Sequence, residues 1–256
     1  MHRTSLCLAP LLLLLGACVT QAPMSAPSAT RTDAATLSSG GAYVASGNLH
    51  LAQVLPPPPA AGSPEERAEL DTMLLIQQRR TPAQVERARA DADTSIWRFA
   101  DALGNPPGFD ARHLPLTSAL FARLDDEIDA DGAGVKQVFK RTRPFRTEPR
   151  LAPVLDKPHS FSYPSGHSTW AHTVAIVLAD MVPERRAQIF ARAEEFGHNR
   201  TVGGVHYPSD IEAGKLEGTV IGAALLSSPR FQADEALATT ELRRALGLPP
   251  ASRQLN

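Results

Sequence analysis

The chain has 256 residues, 43% of them hydrophobic, enough for one sizeable core and more in keeping with one domain than two. Its 26 Lys and Arg nearly balance its 27 Asp and Glu, so no general field draws it to nucleic acid, and any anion site has to be built locally from a few converging cations. The only cysteines are Cys7 and Cys18, which excludes an intrachain disulfide or a cysteine metal cluster from everything that follows them.

In chain order, Arg3 precedes the short apolar run Leu11 to Leu15, too short to span a bilayer. Residues 1–17 therefore read as a secretory signal peptide. The tetrapeptide Leu15-Gly16-Ala17-Cys18 resembles a bacterial lipoprotein processing site, in which Cys18 becomes the lipidated N-terminus. The expected location is the periplasm, with membrane attachment only through that lipid. Residues 18–48 are rich in Ser, Thr, Ala and Gly and read as a flexible tether, so the folded domain is expected over 49–256. Pro56 to Pro59 make a stiff extended segment.

Helical patterns follow. Ser63-Pro64-Glu65-Glu66 carries a cap, a first-turn proline and two acids, with Leu70, Met73 and Leu74 behind them at helical spacing. Thr81-Pro82 opens a second helix whose apolar stripe runs Val85, Ala88, Ala92, Ile96 and Phe99, and Gly104 and Pro106 end it. Further helices are expected at about 116–129, 133–141, 166–181, 184–197, 208–226 and 233–246. Strand-like alternation is nearly absent, which implies an all-α, single-domain helical bundle.

Three segments carry candidate chemistry. In KQVFKRTRP, Lys136 and Arg143 lie seven apart, two helical turns, and are expected to share one face that ends at Pro144. A point charge beside a guanidinium fork suits a phosphoryl group, although a basic helix face is more often only solvated. In YPSGHST, Ser165 and Gly166 lead into an apolar helical run, so the loop presents free N–H groups and close backbone approach to an anion. His167 stands there as a candidate proton donor, and a plain capping turn on Ser165 is the alternative. In NRTVGGVHYPSD, His206 and Asp210 are four apart, a spacing at which a carboxylate can hold one imidazole nitrogen and leave the other free to attack. Arg200 adds a third cation, and Gly203-Gly204 lets the backbone turn back. Together these are parts that phosphoryl transfer needs, positioning and charge stabilisation.

The three segments in this order resemble the phosphatidic acid phosphatase type 2 superfamily, whose pattern is K-x6-R-P, then P-S-G-H, then S-R-x5-H-x3-D. All the spacings agree. Within that group the proline-rich LPPPPAAGS stretch and the FSYPSGHS wording are most similar to the bacterial class A non-specific acid phosphatases. The resemblance covers roughly residues 50 to 245 and implies the helical fold shared with vanadium haloperoxidases. It implies hydrolysis of small phosphate monoesters with no metal and no cofactor. In that scheme His206 is the nucleophile of a phosphohistidine intermediate, Asp210 orients it, and His167 protonates the leaving alcohol. Lys136, Arg143, Ser165, Gly166 and Arg200 hold the phosphoryl oxygens. Asn199 stands where the family motif has Ser, as a supporting residue, and altered affinity or substrate preference is expected from it.

Three other readings compete. A membrane lipid or polyprenyl phosphate phosphatase would carry several spanning segments, and no segment after the leader approaches about 20 apolar residues. A vanadium haloperoxidase shares the anion-site pattern but is typically much longer. A non-catalytic anion-binding lipoprotein would account for three cations and not for a His–Asp pair beside a second histidine. His159, His172 and His198 read as structural or exposed, with His198 the nearest of them to the site. Trp97, Phe99 and Phe139 read as core, and the acidic run 125–131 as a solvated helix end. A homo-oligomer is compatible with the sequence. With His206 neutral and His167 charged, activity is expected to be bell-shaped with an acid optimum. Asp210 should raise the pKa of His206 and the cations should lower it.

Overall fold

A computed structural model describes residues 36–44 and 49–251, apart from the side chains of 130–133. The expected leader, Cys18 and most of the expected tether lie outside the described residues. Among those residues the secondary structure is helical throughout, with no strand: α1 Leu51–Val54, α2 Pro64–Arg79, α3 Pro82–Ala90, α4 Pro115–Phe139, α5 Pro144–Thr147, α6 Gly166–Met181, α7 Arg186–Val202, α8 Pro208–Ser227 and α9 Pro229–Ala245. Short 3-10 turns occupy Ile96–Phe99 and Pro183–Arg185.

Helix α6 is the axis of the bundle. Its sequence is apolar or small nearly all round, the pattern of a helix enclosed on every side, and Trp170, Ala171, Val174, Ala175, Val177, Leu178 and Met181 are buried. Helices α8 and α7 pack along it most extensively, with α4 and α9 completing the surround. The close approach of α8 depends on Gly214, Gly218 and Gly222, one residue per turn on the face toward α6. A Cβ on Gly214 would stand 2.6 Å from the Ser165 carbonyl oxygen, and one on Gly218 would run into that of Thr169.

Five expectations change. The helices expected at 116–129 and 133–141 are one, α4, which runs through Asp131-Gly132 without a break. It stops at Lys140, which takes a left-handed conformation (φ 49°). Pro144 restricts the residue before it, so Arg143 is extended (φ −70°, ψ 145°). Lys136 and Arg143 thus sit on different elements and do not share a helix face.

The stripe that was to continue through Ala92 to Phe99 breaks at Asp91, whose carboxylate turns inward and is fully buried, and the chain resumes as a 3-10 turn. Helix α7 runs on to Val202, so Asn199 and Arg200 lie in its last turns. Finally, part of the expected tether is packed. Tyr43 is buried with its ring 5.3 Å from Phe231, and its hydroxyl donates to Asp234 at 2.7 Å. The Ser38 hydroxyl donates to the same carboxylate at 2.7 Å. The ordered unit therefore begins before residue 49, because one aromatic in a polar stretch has a core position waiting for it.

Candidate active site

The C-terminal end of α7 and the N-terminal ends of α6 and α8 converge. Helix α7 closes in a Schellman turn: Gly204 is left-handed (φ 80°), its N–H bonds the Thr201 carbonyl at 2.9 Å, and the Val205 N–H bonds the Arg200 carbonyl at 3.1 Å. The chain reverses at Gly203-Gly204, directly after α7 ends at Val202, and delivers His206 back beside Arg200. Pro208 starts α8, and Asp210 in its first turn reaches back to the Tyr207 N–H at 3.0 Å. The Ser165 N–H donates to the Asp210 carbonyl at 2.9 Å, which ties the start of α6 to the start of α8.

Asp210 is fully buried and its acceptor sites are filled. Oδ2 takes hydrogen bonds from the Tyr207 N–H, from Ser162 Oγ at 2.5 Å and from His206 Nδ1 at 3.1 Å. Oδ1 takes one from Arg141 Nη1 at 2.7 Å. On the other side of the ring, Arg143 Nη1 lies 2.9 Å from His206 Nε2. A guanidinium only donates, so Nε2 carries the lone pair and the proton is on Nδ1, facing Asp210. Burial and then Arg143, Lys136, Arg200 and His167 push the His206 pKa well below its ordinary value, outweighing the upward pull expected from Asp210.

Arg143 is fixed by further bonds to the Val205 carbonyl at 2.9 Å, the Ser160 carbonyl at 2.9 Å and Ser160 Oγ at 3.0 Å. Lys136 donates to the carbonyl of Pro164, and burial beside Arg143 lowers its pKa to about 8. Arg200 is buried, and its Nε and Nη1 have no hydrogen-bond partner among the described residues. Burial and Arg143 lower its pKa to about 10. An unsatisfied buried guanidinium beside two other cations is an arrangement that an anion completes.

Ser165 caps α6, its Oγ accepting from the Ser168 N–H at 3.3 Å, so the capping reading holds for its side chain. Gly166 has nothing within 4 Å of where a Cβ would stand. The space belongs to a cavity of about 280 Å³ that Gly166 shares with Lys136, Ser160, Thr169 and Glu217. His167 lies over Phe196 (centroids 6.2 Å apart), and its Nε2 is 3.1 Å from the Ala92 carbonyl. Burial, with Arg200 as the next cause, lowers its pKa to about 3. The structure thus gathers Lys136, Arg143, Ser165, Gly166, His167, Arg200, His206 and Asp210 around these three helix ends. Asn199 does not face the anion space and donates instead to Asp91 Oδ2 at 2.8 Å.

Sequence reasoning missed Arg141, Ser160, Ser162 and Asp91. Arg141 is buried, bridges Asp210 to Glu69 of α2 at 2.7 Å each, and lies 3.7 Å from the centre of the Tyr207 ring. Its signal was the first of the two arginines inside KQVFKRTRP. Ser160 and Ser162 lie two apart in the non-helical segment just before Tyr163, where Ser160 meets Arg143 and Ser162 meets Asp210. Of the three histidines set aside, His172 bonds the Ser168 carbonyl at 3.0 Å and Glu194 at 3.2 Å. His198 is exposed in a separate groove with Arg79, Arg80 and Val202, whose lining includes none of Lys136, Arg143 and Arg200.

The family model described as the PAP2 superfamily matches residues 118–233. An acid phosphatase of Zymomonas mobilis subsp. mobilis is 34% identical over 200 residues, covering 75% of each chain. A non-specific acid phosphatase of Salmonella typhimurium is 31% identical over 199 residues, covering 73% of this chain and 78% of that one. Among solved structures, a bacterial vanadium-dependent iodoperoxidase superposes with a TM-score of 0.55 at 19% identity, over 70% of this chain and 53% of its own. That likeness is one of fold.

Proposed function

The chain belongs to the PAP2 superfamily as one of its acid phosphatases, and we propose that it hydrolyses small phosphate monoesters through a phosphohistidine on His206, with protein cations in place of a metal. The observation that carries this reading is the polarisation of His206: Nδ1–H is held by a buried carboxylate, and the Nε2 lone pair faces the cations.

A phosphoryl group entering among Lys136, Arg143 and Arg200 meets the free Nε and Nη1 of Arg200. It takes over the Arg143 N–H now directed at His206 and leaves Nε2 open to phosphorus. Attack forms the N–P bond as the ester P–O bond breaks, and the leaving oxygen takes a proton from His167. Asp210 balances the charge that develops on His206 without moving. Water then attacks the phosphohistidine, giving its proton to His167, and inorganic phosphate leaves as His206 is regenerated. The three cations neutralise the phosphoryl oxygens in a site where Arg143 and Arg200 are buried, and charges act more strongly there than in open solvent.

The bacterial envelope is the proposed setting, with a lipid on Cys18, supported by the apolar run Leu11 to Leu15 and the Leu-Gly-Ala-Cys sequence after it. The test is hydrolysis of p-nitrophenyl phosphate by the full chain with and without EDTA, beside His206→Ala and Cys18→Ser. Expected are EDTA-resistant turnover, loss of about 10³-fold or more in His206→Ala, and release of Cys18→Ser from the membrane fraction. Loss of activity on chelation refutes the metal-free scheme, and full activity in His206→Ala refutes the phosphohistidine. Membrane retention of Cys18→Ser refutes the anchor alone.

A further inference from the structure

His167 reaches the site from α6, but the atom that orients its ring belongs to another element. Its Nε2 is 3.1 Å from the Ala92 carbonyl. A carbonyl only accepts, so Nε2 carries a hydrogen, and Nδ1 is the nitrogen left to exchange a proton with a leaving oxygen. The aim of Nδ1 therefore depends on where the Ala92 carbonyl is held.

Ala92 lies in the turn after α3, outside any helix, where a carbonyl has no ladder of its own to fix it. Its neighbour Asp91 supplies the anchor. Asp91 is fully buried and accepts from Arg192 Nη1 at 2.8 Å and from Nη2 of the same guanidinium. It also accepts from Asn199 Nδ2 at 2.8 Å and from Arg98 Nη2 at 3.0 Å. Arg192 and Asn199 are two turns apart on α7, and Asn199 immediately precedes the clamp residue Arg200. The turn bearing the Ala92 carbonyl is thus fastened to the helix that holds the phosphoryl group.

We propose that Asp91 is a positioning residue for the leaving-group acid: by binding the 91–92 turn to Arg192 and Asn199 of α7, it sets the Ala92 carbonyl and so aims His167 Nδ1 at the ester oxygen. This rests on His167 being that acid. It also gives Asn199 a role that differs from the one expected of the family Ser. The longer amide reaches across to Asp91 and couples the acid's support to the helix of Arg200. Asp91 also neutralises buried Arg192, and a role limited to that would affect all substrates alike.

Leaving groups separate the two roles. A nitrophenolate departs without help, whereas an alkoxide needs its proton in the transition state. The experiment measures kcat/KM of the full chain on p-nitrophenyl phosphate and on a simple alkyl phosphate, in wild type, His167→Ala, Asp91→Asn and Asn199→Ser. Asn199→Ser removes one tie without removing a charge, so it carries the test if Asp91→Asn folds poorly. Expected is a fall in the alkyl-to-aryl ratio of about 10²-fold or more in His167→Ala, the size of a general-acid contribution, and of about 10-fold in the other two. Equal losses on both substrates in Asp91→Asn and Asn199→Ser, or an unchanged ratio in both, overturn the positioning role while leaving His167 as the acid. An unchanged ratio in His167→Ala overturns the acid itself and the inference with it.

Discussion

At the scale of single residues, the site is a set of opposing pulls on two imidazoles. Burial and three cations hold both histidines neutral in the free protein, His167 down to about 3 and His206 well below its ordinary range. In the proposed scheme His206 therefore keeps its lone pair for attack in acid, where an ordinary histidine would be protonated and inert. His167 needs a proton that the empty site denies it. A bound phosphoryl dianion offsets the cations and raises its pKa, so the acid arrives with the substrate. On the proposed scheme the rising acid limb of activity should report deprotonation of His206, and the falling limb loss of the single proton shared by His167 and the phosphoryl group. A bell on the acid side in kcat/KM is expected, and a steady rise into alkali contradicts this assignment. Stability follows with a definite sign. His167 takes up a proton on unfolding between about 3 and its unfolded value of roughly 6.5. Acid over that window therefore favours the unfolded chain, and Tm should rise with pH there. Inorganic phosphate should protect most at the acid end.

At the scale of elements, helix ends decide the chemistry. Three of them had visible marks: the cap Ser165, the Gly203-Gly204 turn and Pro208. That His206, Asp210 and Arg200 come together was legible for that reason. What could not be read was any contact set by packing rather than by spacing. Lys136 and Arg143 were seven apart and looked like one helix face, but a left-handed residue at Lys140 separates them. Asp91 looked like part of a continuous helix because its apolar neighbours kept the period. Only the fold shows Arg192, more than 100 residues later, turning it inward. The glycines of α8 were equally silent in sequence, and they carry a sharp expectation. Ala at Gly218 meets the Thr169 main chain, which cannot yield as a side chain end would. The strain should cost about 3 kcal/mol against a gain of about 1 kcal/mol in helix propensity, a net loss of about 2 kcal/mol by denaturant titration. Activity should fall as well, since α6 and α8 carry His167 and Asp210. Gly134→Ala is the contrast: it is exposed on α4 with nothing within 4 Å of its Cβ position, and should stabilise by about 0.5–1 kcal/mol. Equal effects at both positions would contradict the close-packing argument.

At the scale of the whole molecule, the general outline was legible: a helical unit enclosing one apolar helix, with cations gathered at one cluster of helix ends. The start of the unit was not, since composition through residue 48 is that of a linker. Tyr43 is the exception within it. Its ring meets Phe231 edge-on and lies beneath Arg123 and Arg230, at 4.8 and 4.7 Å from the ring centre. Its backbone N–H donates to Glu127 of α4, and its hydroxyl donates to Asp234 of α9. One residue thus bridges the incoming chain to α4 and α9, and among the described residues its hydrogen bonds and ring contacts go to none of the phosphate site. Removing it should therefore separate stability from catalysis. Tyr43→Ala takes away a buried aromatic and leaves Asp234 with one donor fewer, at a cost of about 3 kcal/mol. For a unit of this size that corresponds to a fall in Tm of about 6–12 °C. Well below the transition, kcat and KM on p-nitrophenyl phosphate should stay near wild type. A large loss of kcat without a fall in Tm would mean instead that the segment around Tyr43 acts on the site, and a change in neither would place it outside the cooperative unit.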